Sequence, residues 1–149
     1  MSEGPFASPS LDPARARANT RFVGCHKVLL IEAEPAIRRV LEEGLEDEGL
    51  EFCSARTLDI ARKLLDAECT PAVVVLDFSF PLDETAELLA RLHTEPRLKD
   101  VPILVTSTLP EAQQLHADLV LPMPFDLDRF LRSVKTLAER TAREQAAAR

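Results

Sequence analysis

Glycine is scarce in this chain, with four residues in 149. No GxGxxG and no P-loop pattern occurs, which excludes the nucleotide-binding fingerprints built on close backbone approach to phosphates. Cysteine is also sparse. Cys25, Cys53 and Cys69 are an odd number without CxxC spacing, so they indicate neither a disulfide framework nor a zinc site. Reduced thiols of a cytosolic protein account for them. His26, His93 and His116 are scattered and read as surface or boundary residues. Positive charge is in the minority, 18 Lys and Arg against 25 Asp and Glu, for a net charge of −7. That balance argues against non-specific binding to nucleic acid or an anionic membrane, both of which call for a basic surface. No apolar run approaches the roughly 18 residues that cross a bilayer. The amino-terminal stretch lacks the apolar core of a secretory signal. Arg15, Arg17 and Arg21 raise a transit peptide, but Glu3, Asp12 and the prolines count against it.

What is present suits one soluble domain. Hydrophobic residues make up 46% of the chain and charged residues 29%. A chain of this length buries roughly 68–70% of its unfolded surface and needs no disulfide or metal to fold. Residues 1–25 hold Pro5, Pro9 and Pro13 and no hydrophobic periodicity, the pattern of a disordered tail. The ordered domain is expected over 26–141, and 142–149 as a helical or frayed tail.

From Lys27 onward, strand and helix patterns alternate. Val28-Leu29-Leu30-Ile31 reads as a strand buried on both faces. Pro35 starts a helix with Ile37, Val40, Leu41 and Leu45 inward, and Gly49 stops it. A weak strand is expected over Leu50–Ser54. A helix capped by Thr57 follows. Ala72–Leu76 is the strongest strand and ends at Asp77. A helix from about Asp83 to His93, a strand over Val101–Thr106 and a two-turn helix over Pro110–His116 come next. Leu119-Val120-Leu121 is the fifth strand. The last helix starts after Asp126 with Leu127, Phe130, Leu131, Val134 and Leu137 on one stripe. Five alternations imply an α/β fold, a doubly wound parallel sheet with right-handed crossovers.

The polar residues of interest collect at one edge of that sheet. Glu32 and Glu34 follow the first strand, Asp77 ends the third and Ser107 follows the fourth. Doubly wound folds put their ligand sites on this carboxyl edge. With strand order 2-1-3-4-5, Glu32 and Asp77 face each other across the switch point. Gathered carboxylates repel unless a cation or a proton intervenes. Their hard oxygens suit Mg²⁺.

Four stretches now matter together: KVLLIEAEPAIR at 27–38, VVLDFSFP at 74–81, KDVPILVTS at 99–107 and PMPFD at 122–126. In order and spacing they resemble the receiver domain of bacterial response regulators, over roughly Lys27 to Arg140. The resemblance implies a flavodoxin-like fold and a role in two-component signalling in the cytoplasm. It makes Asp77 the phosphoacceptor, with Glu32 in the first acidic position. Ser79 would offer its backbone carbonyl to the metal. Ser107 would contact the phosphoryl group. The bond before Pro124 would be cis. A sensor histidine kinase or phosphotransfer protein would be the phosphodonor, and a downstream protein the other partner. The resemblance leaves oligomeric state open.

The departures are equally specific. Ala33 stands where the family has its second acid, and Glu34 is the nearest substitute. Met123 stands where the family has a lysine. Val120 replaces the aromatic switch, in a chain with no Tyr or Trp. The segment after Ser107 is short, so the fourth helix of the family, between the fourth and fifth strands, should be shortened. A missing carboxylate ligand weakens Mg²⁺ binding well over tenfold. A missing lysine removes a charge-assisted hydrogen bond worth roughly 1.5–3 kcal/mol. Two functions therefore stand side by side: an atypical stand-alone receiver phosphorylated on Asp77 with weak Mg²⁺ binding, and a pseudo-receiver adaptor that works without phosphorylation. An aspartyl-nucleophile phosphohydrolase is a remote third, because it needs a second aspartate where Ser79 stands.

Overall fold

The computed structural model describes residues 27–67 and 70–147. The tail expected over 1–25, Cys25, His26 and Cys69 lie outside the described residues. The chain runs β1 (Val28–Ile31), α1 (Pro35–Asp47), β2 (Phe52–Ala55), α2 (Leu58–Asp66), β3 (Val73–Asp77), α3 (Leu82–Thr94), β4 (Ile103–Ser107), a 3₁₀ turn η1 (Pro110–Gln114), β5 (Leu119–Pro122) and α4 (Leu127–Ala147).

Local chemistry sets the boundaries. Glu34 caps α1 by accepting from the Ala36 N–H, and Pro35 pre-sets the first turn. Gly49 ends that helix at φ +73°, a conformation other residues adopt only with strain. Leu50 donates its N–H back to the Leu45 carbonyl, so β2 starts at Phe52, later than its pattern suggests. Thr57 caps α2 through the Ile60 N–H. Asp126 caps α4 by accepting from the Arg129 N–H at 2.7 Å. The strand expected from Val101 starts at Ile103, because Val101 donates to Leu98 in a turn and Pro102 has no N–H to pair.

The five strands form one parallel sheet in the order β2-β1-β3-β4-β5. Side chains alternate between its two faces. Leu29, Ile31, Val74, Leu76, Ile103 and Val105 pack with α2 and α3. Val28, Leu30, Val73, Val75, Leu104 and Leu121 pack with α1 and α4. Gly44 lies where α1 packs on α4: a Cβ there would sit 3.0 Å from a Leu127 methyl.

A further element differs from its sequence pattern. The two-turn helix expected over Pro110–His116 is the 3₁₀ turn η1, ending at Gln114. Leu115 and Ala117 close the link to β5 with local hydrogen bonds. Of the two forms expected for the tail from residue 142, the helical one holds: α4 runs unbroken to Ala147. It stays attached because Thr141, buried, donates its hydroxyl to the Ala72 carbonyl at 2.8 Å.

Candidate functional site

Register builds the site. Ile31 of β1 pairs with Leu76 of β3, so Glu32 and Asp77, one residue on in each strand, lie side by side. Asp77 pairs with Thr106, which sets Ser107 next along β4. A pocket of about 440 Å³ opens over this edge. Its walls are Glu32, Ala33, Glu34, Ile37, Asp77, Phe78, Ser79, Ser107, Thr108 and Met123. The sequence-marked residues of the pocket are thus brought together, apart from Val120 and Pro124. Val120 lies in register with Val105 and packs, half-buried, on the α2–α3 side of the core. Pro124 follows a cis bond from Met123 and lines a neighbouring groove.

The carboxyl groups are not equivalent. Glu32 is 2% exposed and Asp77 8%. Burial, together with a hydrogen bond to Asp77 and its charge, pushes the Glu32 carboxyl up to about 8. The Glu34 N–H, 3.1 Å from Glu32 Oε2, and Arg38 pull the other way and lose. A carboxyl raised this far favours its protonated form at neutral pH, beside Asp77. A proton occupies the role that a cation would otherwise fill between two carboxylates.

Glu34 is at the rim, exposed, with Oε1 accepting from the Ala36 N–H at 3.2 Å. Its carboxylate is committed to the start of α1. Ser79 is exposed, and its hydroxyl donates to Asp77 Oδ2 at 2.6 Å. The Ser107 hydroxyl accepts from the Leu109 N–H at 2.8 Å. Met123 donates its N–H to the Ser107 carbonyl at 2.7 Å, which ties the β5–α4 link to the end of β4.

Sequence patterns alone did not mark three contributors. The Ser79 hydroxyl holds the Asp77 carboxylate. Arg38 reaches back from α1 to the Glu32 carbonyl oxygen at 2.9 Å. Thr108 lines the pocket beside Ser107. A basic residue in the first turn of a helix, against the usual dipole preference, is the one local signal Arg38 carried.

For a divalent cation the donor set is thin. Glu32 and Asp77 supply two hard carboxyl oxygens, Ala33 supplies none and Glu34 is used as a cap. Among the described residues no group of three or more His, Cys, Asp or Glu side chains could hold a metal ion. The two carboxyl groups fit Mg²⁺ in kind, and they are few in number.

Comparison with known proteins agrees with this geometry. The family model described as response regulator receiver domain matches residues 28–135. The DNA-binding dual master transcriptional regulator RpaA of Synechocystis is 29% identical over 129 residues, 83% of this chain and 53% of that protein. The C4-dicarboxylate transport transcriptional regulatory protein DctD of Pseudomonas aeruginosa is 36% identical over 121 residues, 76% of this chain and 25% of that protein. The chain thus spans between a quarter and about half of these curated relatives. Among solved structures, the Francisella response regulator 1452 receiver domain superposes with a TM-score of 0.68 at 24% identity, covering 77% of this chain and 98% of that one. TrrA of Thermotoga maritima, solved in complex with Mg²⁺ and BeF, superposes with a TM-score of 0.65 at 25% identity, covering 74% and 97%. Among the described residues no helix is long and apolar enough to cross a membrane. A parallel sheet in this order, an aspartate at the end of β3 and a family match over most of the chain place this protein in the response regulator receiver domain family.

Proposed function

We propose that this chain is a receiver module of two-component signal transduction with Asp77 as its phosphoryl acceptor, acting through protein–protein contact. One observation carries the proposal. The β1–β3 register sets Asp77 beside Glu32 at the mouth of an open pocket that also holds Ser79 and Ser107. In the transfer, an Asp77 carboxylate oxygen attacks phosphorus of a phosphohistidine or of acetyl phosphate. A new O–P bond forms, the donor's P–N or P–O bond breaks, and its electron pair leaves with imidazole or acetate. The product is an acyl phosphate. Glu32, Asp77 and the Ser79 carbonyl would hold Mg²⁺ weakly, and when bound it neutralises negative charge on the phosphoryl oxygens. The Ser79 hydroxyl orients the acceptor carboxylate.

A second function has its own support. Ala33 and Met123 leave the pocket without its second metal-ligating acid and its cation, and Glu32 shares a proton with Asp77. These features favour a phosphorylation-independent pseudo-receiver that presents one surface permanently.

Intact-mass spectrometry after incubation with Mg²⁺ and acetyl phosphate separates the two. A gain of about 80 Da in the wild type, absent in Asp77→Asn, is the expected result for a working acceptor. No adduct under conditions that modify an ordinary receiver assigns the pseudo-receiver function.

A further inference from the structure

The turn after β3 presents a hydroxyl at the wall of the acidic pocket. Phe78 and Phe80 flank Ser79 in sequence, and both are half-buried and packed on the α2–α3 side of the core. Phe78 also donates its N–H to the Thr106 carbonyl at 2.9 Å. Anchored on both sides, the turn holds Ser79 exposed and in place. The Ser79 hydroxyl donates to Asp77 Oδ2 at 2.6 Å.

That pair has the geometry of a nucleophile and its base, a hydroxyl within hydrogen-bond reach of a carboxylate. Asp77 is the more enclosed of the two. It is 8% exposed, with Glu32 beside it across the β1–β3 register and the Ser79 hydroxyl on its outer oxygen. A phosphodonor that enters from solvent meets the serine oxygen first. That oxygen donates in its bond to Asp77 and keeps lone pairs for attack. The Ser107 hydroxyl, also in the pocket, bonds the Leu109 backbone instead of a carboxylate.

We propose that Ser79 is a second phosphoryl acceptor of this chain, with Asp77 as its general base. Ser79 Oγ attacks phosphorus of an acyl phosphate or a phosphohistidine while its proton passes to Asp77 Oδ2. An O–P bond forms, the donor's P–O or P–N bond breaks, and its electron pair leaves with the carboxylate or the imidazole. Asp77 then releases the proton to solvent. Kinases use an aspartate in this way on a substrate hydroxyl. The product is a phosphoserine, a monoester without the activated carbonyl that makes an acyl phosphate labile. A mark on Ser79 is therefore lasting where a mark on Asp77 is brief, and it adds about −1.5 to −2 of charge beside Asp77 and Glu32. The class of phosphodonor rests on the receiver reading above. The step itself uses Asp77 as a base and stands whether or not Asp77 is also phosphorylated.

The test incubates the full chain with Mg²⁺ and acetyl phosphate, then with neutral hydroxylamine, which cleaves acyl phosphates and spares phosphoserine. Intact mass and fragmentation of tryptic peptide 64–91 read what remains. The expected result is one phosphoryl group that survives hydroxylamine and maps to Ser79. Ser79→Ala should lose it, and Ser79→Thr should keep it as phosphothreonine. Asp77→Asn leaves a carbonyl oxygen for the serine hydroxyl but no base, and should slow the serine reaction about 100-fold or more. An adduct wholly removed by hydroxylamine overturns the proposal and leaves Asp77 as the acceptor. An adduct wholly resistant to it supports the proposal and overturns Asp77 as acceptor. No adduct of either kind overturns both. A resistant phosphate that persists in Ser79→Ala overturns the proposal, as does an Asp77→Asn rate equal to that of the wild type.

Discussion

Replacing Glu32 by glutamine should change how stability depends on pH. The Glu32 carboxyl stands at about 8 in the folded protein against 4.5 for the ordinary group, chiefly because it is buried and faces Asp77. Between those values the folded protein holds a proton that the unfolded chain releases. A group raised in this way lends stability at low pH and loses it as pH rises toward the folded value. The slope is at most about 1.4 kcal/mol per pH unit. From about pH 5 to pH 7 the wild type should therefore lose up to roughly 2–3 kcal/mol through this group. The pocket is open, and solvent screening puts the result toward the lower figure. A glutamine amide is uncharged throughout and can still donate to Asp77. Urea unfolding at matched ionic strength should show Glu32→Gln gaining on the wild type by about 2 kcal/mol over that range. Titrating groups other than Asp77 cancel in the difference. Asp77→Asn should flatten the wild-type slope in part, because Asp77 is the partner that raises Glu32. Parallel pH profiles for wild type and Glu32→Gln would refute the shared-proton account, and so would a difference that grows toward low pH.

Three further outcomes follow from the same geometry. Met123→Lys restores a cation beside Glu32 and Asp77, and should raise phosphoryl incorporation on Asp77 about tenfold or more, the scale of one charged hydrogen bond; unchanged acetyl phosphate kinetics would place residue 123 outside the chemistry. Thr85 is fully buried in α3 and its hydroxyl has no partner, so Thr85→Val should raise stability by about 1 kcal/mol in denaturant melts, and a loss would show that the hydroxyl is satisfied. Glu95 is held below the usual carboxylate range by its hydrogen bond from Arg91 at 2.8 Å; that stability is present above the unfolded value and lost as pH falls through the folded one, so Glu95→Gln should lower the melting temperature at neutral pH and leave it unchanged in acid.

Much of this protein is written in local patterns. The apolar runs of β1, β3 and β4, the stripe of α4, Pro35, Gly49, Thr57 and Asp126 each act within a few residues of themselves. Their sequence determined five strands, the order of elements and the places where helices begin and end. The cluster of acids at strand ends was legible for the same reason, and the losses at Ala33 and Met123 were legible through the resemblance to the receiver family. Tertiary structure decided what those residues do. Only the β1–β3 register sets Glu32 against Asp77, and only burial by neighbouring elements gives Glu32 a proton. Glu34 reads as a spare ligand until the start of α1 claims its carboxylate. Segment 110–116 has the composition of a short helix, yet it folds as a 3₁₀ turn that ends at Gln114. The groove lined by Ile37, Val40 and Met123 exists because α1 and the β5–α4 link, some 80 residues apart in sequence, are laid side by side by the packing of α1 and α4 on one face of the sheet. Periodicity and caps are local properties that a sequence displays; proton sharing, committed carboxylates and grooves depend on long-range neighbours that only the folded chain supplies.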